Sequence, residues 1–153
     1  MQAFILGAGL GTRLAPLTHI LPKPLMPVFQ KPLIQHTMDH YIRCGVTEFM
    51  VNISCLSLMW ERAFPEPTYR SCPVSFSEEE TPLDSGGGVK KIMHWVKPGE
   101  PLLVHNGDIL TDIPVAELLA EHWAGWLRAG YVHRNTVRPS IMALYTPKKK
   151  TWL

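Results

Sequence analysis

The chain opens on a short apolar run, Gln2-Ala3-Phe4-Ile5-Leu6, that stops at Gly7. A brief continuous apolar stretch ended by glycine predicts a buried strand. Between Gly7 and Pro27 stand three glycines and four prolines, so a long helix is forbidden and an extended loop with a tight start is expected. From Pro32 to Cys44 apolar side chains recur at 33, 34, 38, 41 and 42. That spacing predicts a helix, with Pro32 in its first turn and Gly45 as its C-terminal cap. Phe49–Ile53 predicts a second buried strand, 57–64 a short helix, and the alternating Val74–Ser77 a third strand. Residues 85–96 predict a helix capped by Ser85, with glycines in its first turn. Pro101–His105 predicts a strand running into Asn106-Gly107-Asp108, and 114–124 a helix with Pro114 near its start. After Trp123 the pattern degrades, and Ser140–Tyr145 is the one candidate strand.

Strands alternating with helices predict an α/β fold of three layers, with a mainly parallel sheet and helices on both faces. Ligands of such sheets bind beyond the carboxyl ends of the strands. Three glycine-rich or acidic segments fall there: Gly7–Arg13, Ser85–Gly88 and Asn106–Asp108.

Composition narrows the class. The 153 residues are 46% apolar and 18% charged, which suits one folded domain and excludes a disordered chain. No run reaches the ~18 apolar residues of a membrane span. The N-terminus has no basic segment ahead of its apolar run, so a cytoplasmic protein without a signal peptide is expected. Three cysteines without a C-x-x-C pair argue against a disulfide framework or a zinc site. Cys44 and Cys55 are expected in or near the core. His36 and His40 stand four apart on the predicted helix, but the Glu of H-E-x-x-H is absent, and a polar helix face is the better reading.

Charge divides the chain. Residues 1–122 carry 9 Lys+Arg against 13 Asp+Glu, whereas 123–153 carry 6 Lys+Arg and no acid. The expected organisation is therefore a nucleotide-binding part over 1–122 and a divergent basic tail over 123–153. Nucleic acid is not the expected partner, although a basic tail leaves an interaction role open.

Gly7-Ala8-Gly9-Leu10-Gly11-Thr12-Arg13 follows a strand, which raises the dinucleotide fingerprint. Its third glycine comes one residue early, and Pro16, Pro22 and Pro24 exclude the helix that would receive a pyrophosphate. No Gly-Lys-Ser/Thr closes the loop, so it is not a Walker A sequence. A loop whose main chain approaches a base or phosphate fits better, with Arg13 and Lys23 carried toward anionic oxygens by a stiff Pro-rich segment. The acidic run Glu78-Glu79-Glu80 is expected as a solvated loop, and Asp112 as the N-cap of the helix near Pro114.

The full string Gly7-Ala8-Gly9-Leu10-Gly11-Thr12-Arg13-Leu14-Ala15-Pro16-Leu17-Thr18, followed by Leu21-Pro22-Lys23-Pro24-Leu25-Met26-Pro27-Val28, resembles the signature of the sugar-1-phosphate nucleotidyltransferases. Leu83-Asp84-Ser85-Gly86-Gly87-Gly88 is similar to that family's second glycine loop, and Asn106-Gly107-Asp108 to its metal-binding turn. The resemblance covers about residues 1–122. It leans toward uridylyltransferases acting on N-acetylmuramate 1-phosphate, with mannose-1-phosphate guanylyltransferases close behind. It implies a Rossmann-like nucleotidyltransferase fold, truncated here, and substrates that are a nucleoside triphosphate, UTP favoured, and a sugar 1-phosphate. Arg13 and Lys23 would be catalytic. Gly7, Ala8, Gly9, Gly11, Thr12, Asp84, Ser85, Gly86, Asn106 and Gly107 would bind the nucleotide, and Asp108 would bind Mg²⁺.

The family's domain is longer, and its later half supplies a second metal ligand and the groups that grip the sugar. No position here matches them, Asn135 being the one conceivable substitute. Together with Trp123, Trp126 and Lys148–Lys150, this raises the expectation of a frame shift or truncation near residue 122. An inactive nucleotide-binding remnant and a basic-tailed interaction protein are the alternatives. A truncated sheet also predicts self-association through an exposed edge.

Overall fold

The computed structural model describes residues 1–124, together with the backbone of 130–131 and 142–145. Asn135, Trp126 and Lys148–Lys150 lie outside the described residues. β1 (Gln2–Leu6) leads through single 3-10 turns at Thr12–Leu14, Leu17–His19 and Lys23–Leu25 to a small hairpin, β2 (Pro27–Val28) and β3 (Lys31–Pro32). There follow α1 (Leu33–Arg43), β4 (Glu48–Ile53), α2 (Ser57–Ala63), β5 (Thr68–Tyr69) and β6 (Cys72–Glu78). The chain continues with α3 (Asp84–Lys91), β7 (Leu102–Asn106), α4 (Val115–Trp123), β8 (Gly130–Tyr131) and β9 (Met142–Tyr145).

Seven strands form one sheet in the order β5-β6-β4-β1-β7-β9-β8. The central four, β6, β4, β1 and β7, are parallel, and β5, β9 and β8 join antiparallel. β9 is the strand expected within Ser140–Tyr145. Side chains alternate across the sheet as a pleated strand requires. Ala3, Ile5, Phe49, Val51 and Leu103 pack with Ile34, Met38 and Tyr41 of α1, Trp60 of α2 and Leu118 of α4. Phe4, Met50, Leu102 and Val104 face the other way, onto Ile92, Val96 and the partly buried Val89. The result is the expected three-layer α/β arrangement around a mainly parallel sheet.

Local chemistry explains the boundaries. α1 ends where Gly45 takes φ 90°. Gly45 N–H donates to Ile42 O at 3.0 Å and Val46 N–H to Tyr41 O at 2.9 Å, which is the Schellman closure. Two partly buried acceptors tie the layers together. Asp39 of α1 receives Lys31, the Tyr69 hydroxyl (2.9 Å) and Arg70 (2.7 Å), joining the small hairpin and β5 to the helix. Glu48 at the start of β4 receives Gln2 Nε2 (3.1 Å), Trp95 Nε1 (2.9 Å) and Lys97 (3.1 Å).

Four expectations are corrected. Ser85 is not a cap: α3 starts at Asp84, Leu83 holds the N-cap position without a side-chain cap bond, and the helix stops at Lys91. Asp84 at φ 58° makes the sharp entry instead. Asp112 caps nothing, because Pro114 occupies the cap of α4 and Thr111 Oγ1 accepts Ile113 N–H at 3.2 Å. Cys55 is exposed, lying in the turn between β4 and α2 rather than in the strand. Glu79 is buried rather than solvated, for a reason that belongs to the site. His36 and His40 place Nε2 on the backbone oxygens of Val28 (2.8 Å) and Ile113 (2.9 Å), consistent with a polar helix face. Among the described residues no helix is long and apolar enough to cross a membrane.

Candidate active site

The parallel strands stop in register at one end of the sheet, where Leu6 stands beside Asn52 on one side and Asn106 on the other. Three loops leave from this edge and enclose a cleft of about 320 Å³, a size suited to a small-molecule ligand.

The first loop is fastened at its root. Gly7 N–H is shared between Asn52 O (3.1 Å) and Asn52 Oδ1 (2.7 Å), and Ser54 Oγ donates to Ala8 O at 2.6 Å. Further along, Gly11 adopts φ 60°, and a Cβ there would lie 2.8 Å from Thr18 Cγ2, so glycine is required twice over. Thr18 Oγ1 donates to Gly11 O at 3.2 Å and locks the turn. The 3-10 turn at Thr12–Leu14 then carries Arg13 to the cleft, and the turn at Lys23–Leu25 carries Lys23.

The second loop follows β6 and brings Glu79, Pro82, Asp84 and Ser85 to the cleft, and the third leaves β7. Gly107 N–H donates to Leu6 O at 2.8 Å, so the Asn106–Asp108 turn is stitched to the end of β1. Asp108 forms an ion pair with Lys23, the two side chains being 35% and 29% exposed. Arg13 makes no ion pair with a described residue. Among the described residues the cleft thus presents one cation paired to a carboxylate and one without an ion pair, beside backbone that glycine leaves open.

Of the residues singled out in the sequence, Gly7, Ala8, Gly9, Gly11, Arg13 and Lys23 line the cleft, as do Asp84, Ser85, Asn106 and Asp108. Thr12, Gly86 and Gly107 do not line it. Two polar lining residues were not anticipated, Asn52 and Glu79. They are 3% and 2% exposed, and Asn52 Nδ2 donates to Glu79 Oε1 at 2.9 Å. Asn52 did carry a signal, being a lone amide in the apolar run of β4. Glu79 was hidden among acidic neighbours.

The deepest titratable group nearby is His105, at the end of β7 and fully buried. Its ring stands edge-on to Tyr41 at 5.4 Å between centroids. Burial, against the opposing pull of the Asp108 carboxylate, lowers its pKa to about 4.

Comparison with known proteins agrees with this architecture. A family model described as nucleotidyl transferase matches residues 2–129. The chain is 38% identical over 160 aligned positions to the N-acetylmuramate alpha-1-phosphate uridylyltransferase of Neisseria meningitidis serogroup B, covering 92% of this chain and 69% of that protein. It is 36% identical over 123 residues to the mannose-1-phosphate guanylyltransferase catalytic subunit beta of Dictyostelium discoideum, covering 80% of this chain. There it spans 34% of the relative's length. Among solved structures, HddC from Yersinia pseudotuberculosis complexed with GMP-PN superposes with a TM-score of 0.71 at 18% identity, over 95% of this chain and 73% of that one. The UDP-glucose pyrophosphorylase complex with UDP-glucose gives 0.64 at 18% identity, over the same shares. At such identities the structures speak for the fold, and the family model, matching most of the chain, speaks for the lineage: the chain belongs to the nucleotidyl transferase family.

Proposed function

We propose that this chain provides the nucleotide-binding part of a transferase that joins a nucleoside monophosphate to a sugar 1-phosphate. A phosphate oxygen of the sugar 1-phosphate bonds to the α-phosphorus of the triphosphate, the bond from that phosphorus to the bridging oxygen breaks, and pyrophosphate leaves. Such chemistry depends on alignment and charge neutralisation rather than on a protein nucleophile. The observation that carries the reading is the convergence of the Gly7–Gly11 loop, Arg13, Lys23 and Asp108 on one cleft.

In this reading Gly7, Ala8 and Gly9 face the nucleoside with open main chain. Arg13 holds the triphosphate and stabilises the leaving pyrophosphate, using a planar donor fork suited to phosphate oxygens. Lys23 leaves Asp108 for the phosphates at the reacting centre. Asp84 and Ser85 border the base, and Asn106 the sugar-nucleotide side.

The donor set suits Mg²⁺ in one specific way. Among the described residues no group of three or more His, Cys, Asp or Glu side chains is placed to hold a metal ion. Mg²⁺ commonly uses one or two carboxylates with substrate phosphates and water, so Asp108 alone is a sufficient protein anchor. A cation bound there would neutralise charge on the phosphates.

UTP is the favoured triphosphate. The uridylyltransferase relative is the one of the two quoted whose length this chain mostly covers. A second reading, nucleotide binding without turnover, draws on the lone carboxylate beside Lys23 and on the third of the guanylyltransferase length that the chain spans. Product analysis separates the two. With Mg²⁺, each of UTP, GTP, dTTP and CTP, and a panel of sugar 1-phosphates, the first reading predicts a nucleotide-sugar by mass spectrometry, uridine foremost. Triphosphate binding with no nucleotide-sugar from any pair would favour the second.

A further inference from the structure

Glu79 lies at the end of β6, 2% exposed, and both of its carboxylate oxygens are engaged. Oε1 accepts from Asn52 Nδ2 at 2.9 Å, and Oε2 accepts from Leu83 N–H at 2.9 Å. Asn52 in turn accepts Gly7 N–H on Oδ1 at 2.7 Å. The bonds form one continuous chain, from the root of the first glycine loop, through β4 and β6, to the residue that opens α3. Its members and their neighbours leave little slack. A Cβ at Gly88 would lie 3.0 Å from Asn52 Nδ2 and 3.3 Å from Glu79 Oε1, and one at Gly7 2.8 Å from Asn52 O.

The polarity of this chain is fixed from both ends. Gly7 and Leu83 present backbone N–H groups, which only donate. Two donors facing each other across two side chains require one carboxylate, which accepts on both oxygens, and one amide, which accepts on one side and donates on the other. Either order of the two satisfies every bond. Two amides do not, because one donor must then face another in a buried place.

We propose that Glu79 is a positioning residue for the nucleotide, acting through Asn52 and Leu83 to hold the first glycine loop and the start of α3 at a fixed separation across the cleft. This deepens the nucleotidyl-transfer reading and rests on it for its consequence on substrate, while the hydrogen-bond chain itself stands apart from that reading. The separation matters because the two loops border opposite sides of the place assigned to the nucleoside. Loosening it weakens the grip on the triphosphate more than it changes a reaction once the triphosphate is in place.

The test uses the full chain and two variants, Glu79→Gln and the exchanged pair Asn52→Asp with Glu79→Gln. The single variant has nearly the same shape but leaves one donor–donor conflict. The pair restores one carboxylate and one amide in the opposite order. Amide hydrogen exchange at Gly7 and Leu83, read without any substrate, is expected to speed up about ten-fold in Glu79→Gln and to return to the wild-type rate in the pair. With substrates, the KM for UTP is expected to rise about ten-fold in the single variant, with kcat at saturating UTP and the KM for sugar 1-phosphate nearly unchanged, and the pair to recover. A general loss of structure would move all three parameters together. If Glu79→Gln does not fold, a folded and protected double variant supports the same conclusion. Wild-type exchange in the single variant, or a double variant no better than the single, overturns the proposal. A wild-type chain with no turnover would count against the transfer reading only, because the exchange result decides the chain of bonds independently.

Discussion

His105 is fully buried at the end of β7, three residues before Asp108, and it must fold in its neutral form. Its pKa falls from 6.5 to about 4 on folding. Between these values the unfolded chain binds a proton that the folded chain refuses, so stability is lost as pH falls through that window. The loss amounts to about 3 kcal/mol at its lower end. Urea unfolding between pH 7 and pH 4 should show this slope in the wild type and a flatter one in His105→Leu. Equal slopes would show that the histidine is not held neutral.

Other single residues differ in how far the linear chain announced them. The placement of Arg13 and Lys23 at the cleft was legible because they sit in a distinctive glycine- and proline-rich string that leaves few conformations open. Glu79 was not, because an acid between two acids reads as solvent-facing until the neighbouring strand is seen to bring Asn52 within 2.9 Å of it. Cys55 misled in the opposite direction: an apolar stretch said core, but β4 ends at Ile53, two residues too early.

At the scale of elements, the Asp39 cluster binds α1 to the β2–β3 hairpin and to β5. Burial pushes the Asp39 carboxyl up, but hydrogen bonds from Lys31 and Tyr69, with the charges of Lys31 and Arg70, outweigh it and hold the group below 3.8. Glu48 behaves alike: burial raises it, and Lys97, Trp95 and Gln2 together bring it below 4.5. The stability these depressed groups contribute is present above their unfolded values and is lost as pH falls through the lower folded ones. Their windows therefore open at 3.8 and 4.5 and run downward, that of Glu48 overlapping the acid end of the His105 window. Tyr69→Phe removes one of the bonds to Asp39 and should cost about 1 kcal/mol at pH 7. A chemical-denaturation midpoint unchanged by that substitution would mean that the hydroxyl contributes nothing there.

Element types and order followed closely from apolar spacing, since strands buried on both faces and helices with one apolar face leave different periods. Their edges followed less well. α3 spans Asp84–Lys91 rather than its expected limits; at its entry Glu79 accepts Leu83 N–H, and Glu79 is itself held in place by Asn52 of β4, which no local pattern encodes. β9 was legible as a strand, but its antiparallel pairing with β7 depends on how the chain returns to the sheet.

Across the whole molecule, the parallel strands β6, β4, β1 and β7 bring segments distant in sequence to one edge, and the cleft is built where they stop. A frame in which Lys23 meets Asp108 across 85 residues exists only once that sheet is formed. In the function proposed above, this edge is a place for phosphoryl chemistry, with Arg13 and Asp108 as its working groups. The most direct measurement is pyrophosphate release by the full chain with Mg²⁺, UTP and sugar 1-phosphates, compared with Arg13→Ala and Asp108→Ala. Release is expected to require both substrates and to fall by about 10²–10³ in each variant. Release that persists at the wild-type rate in both variants would contradict that function.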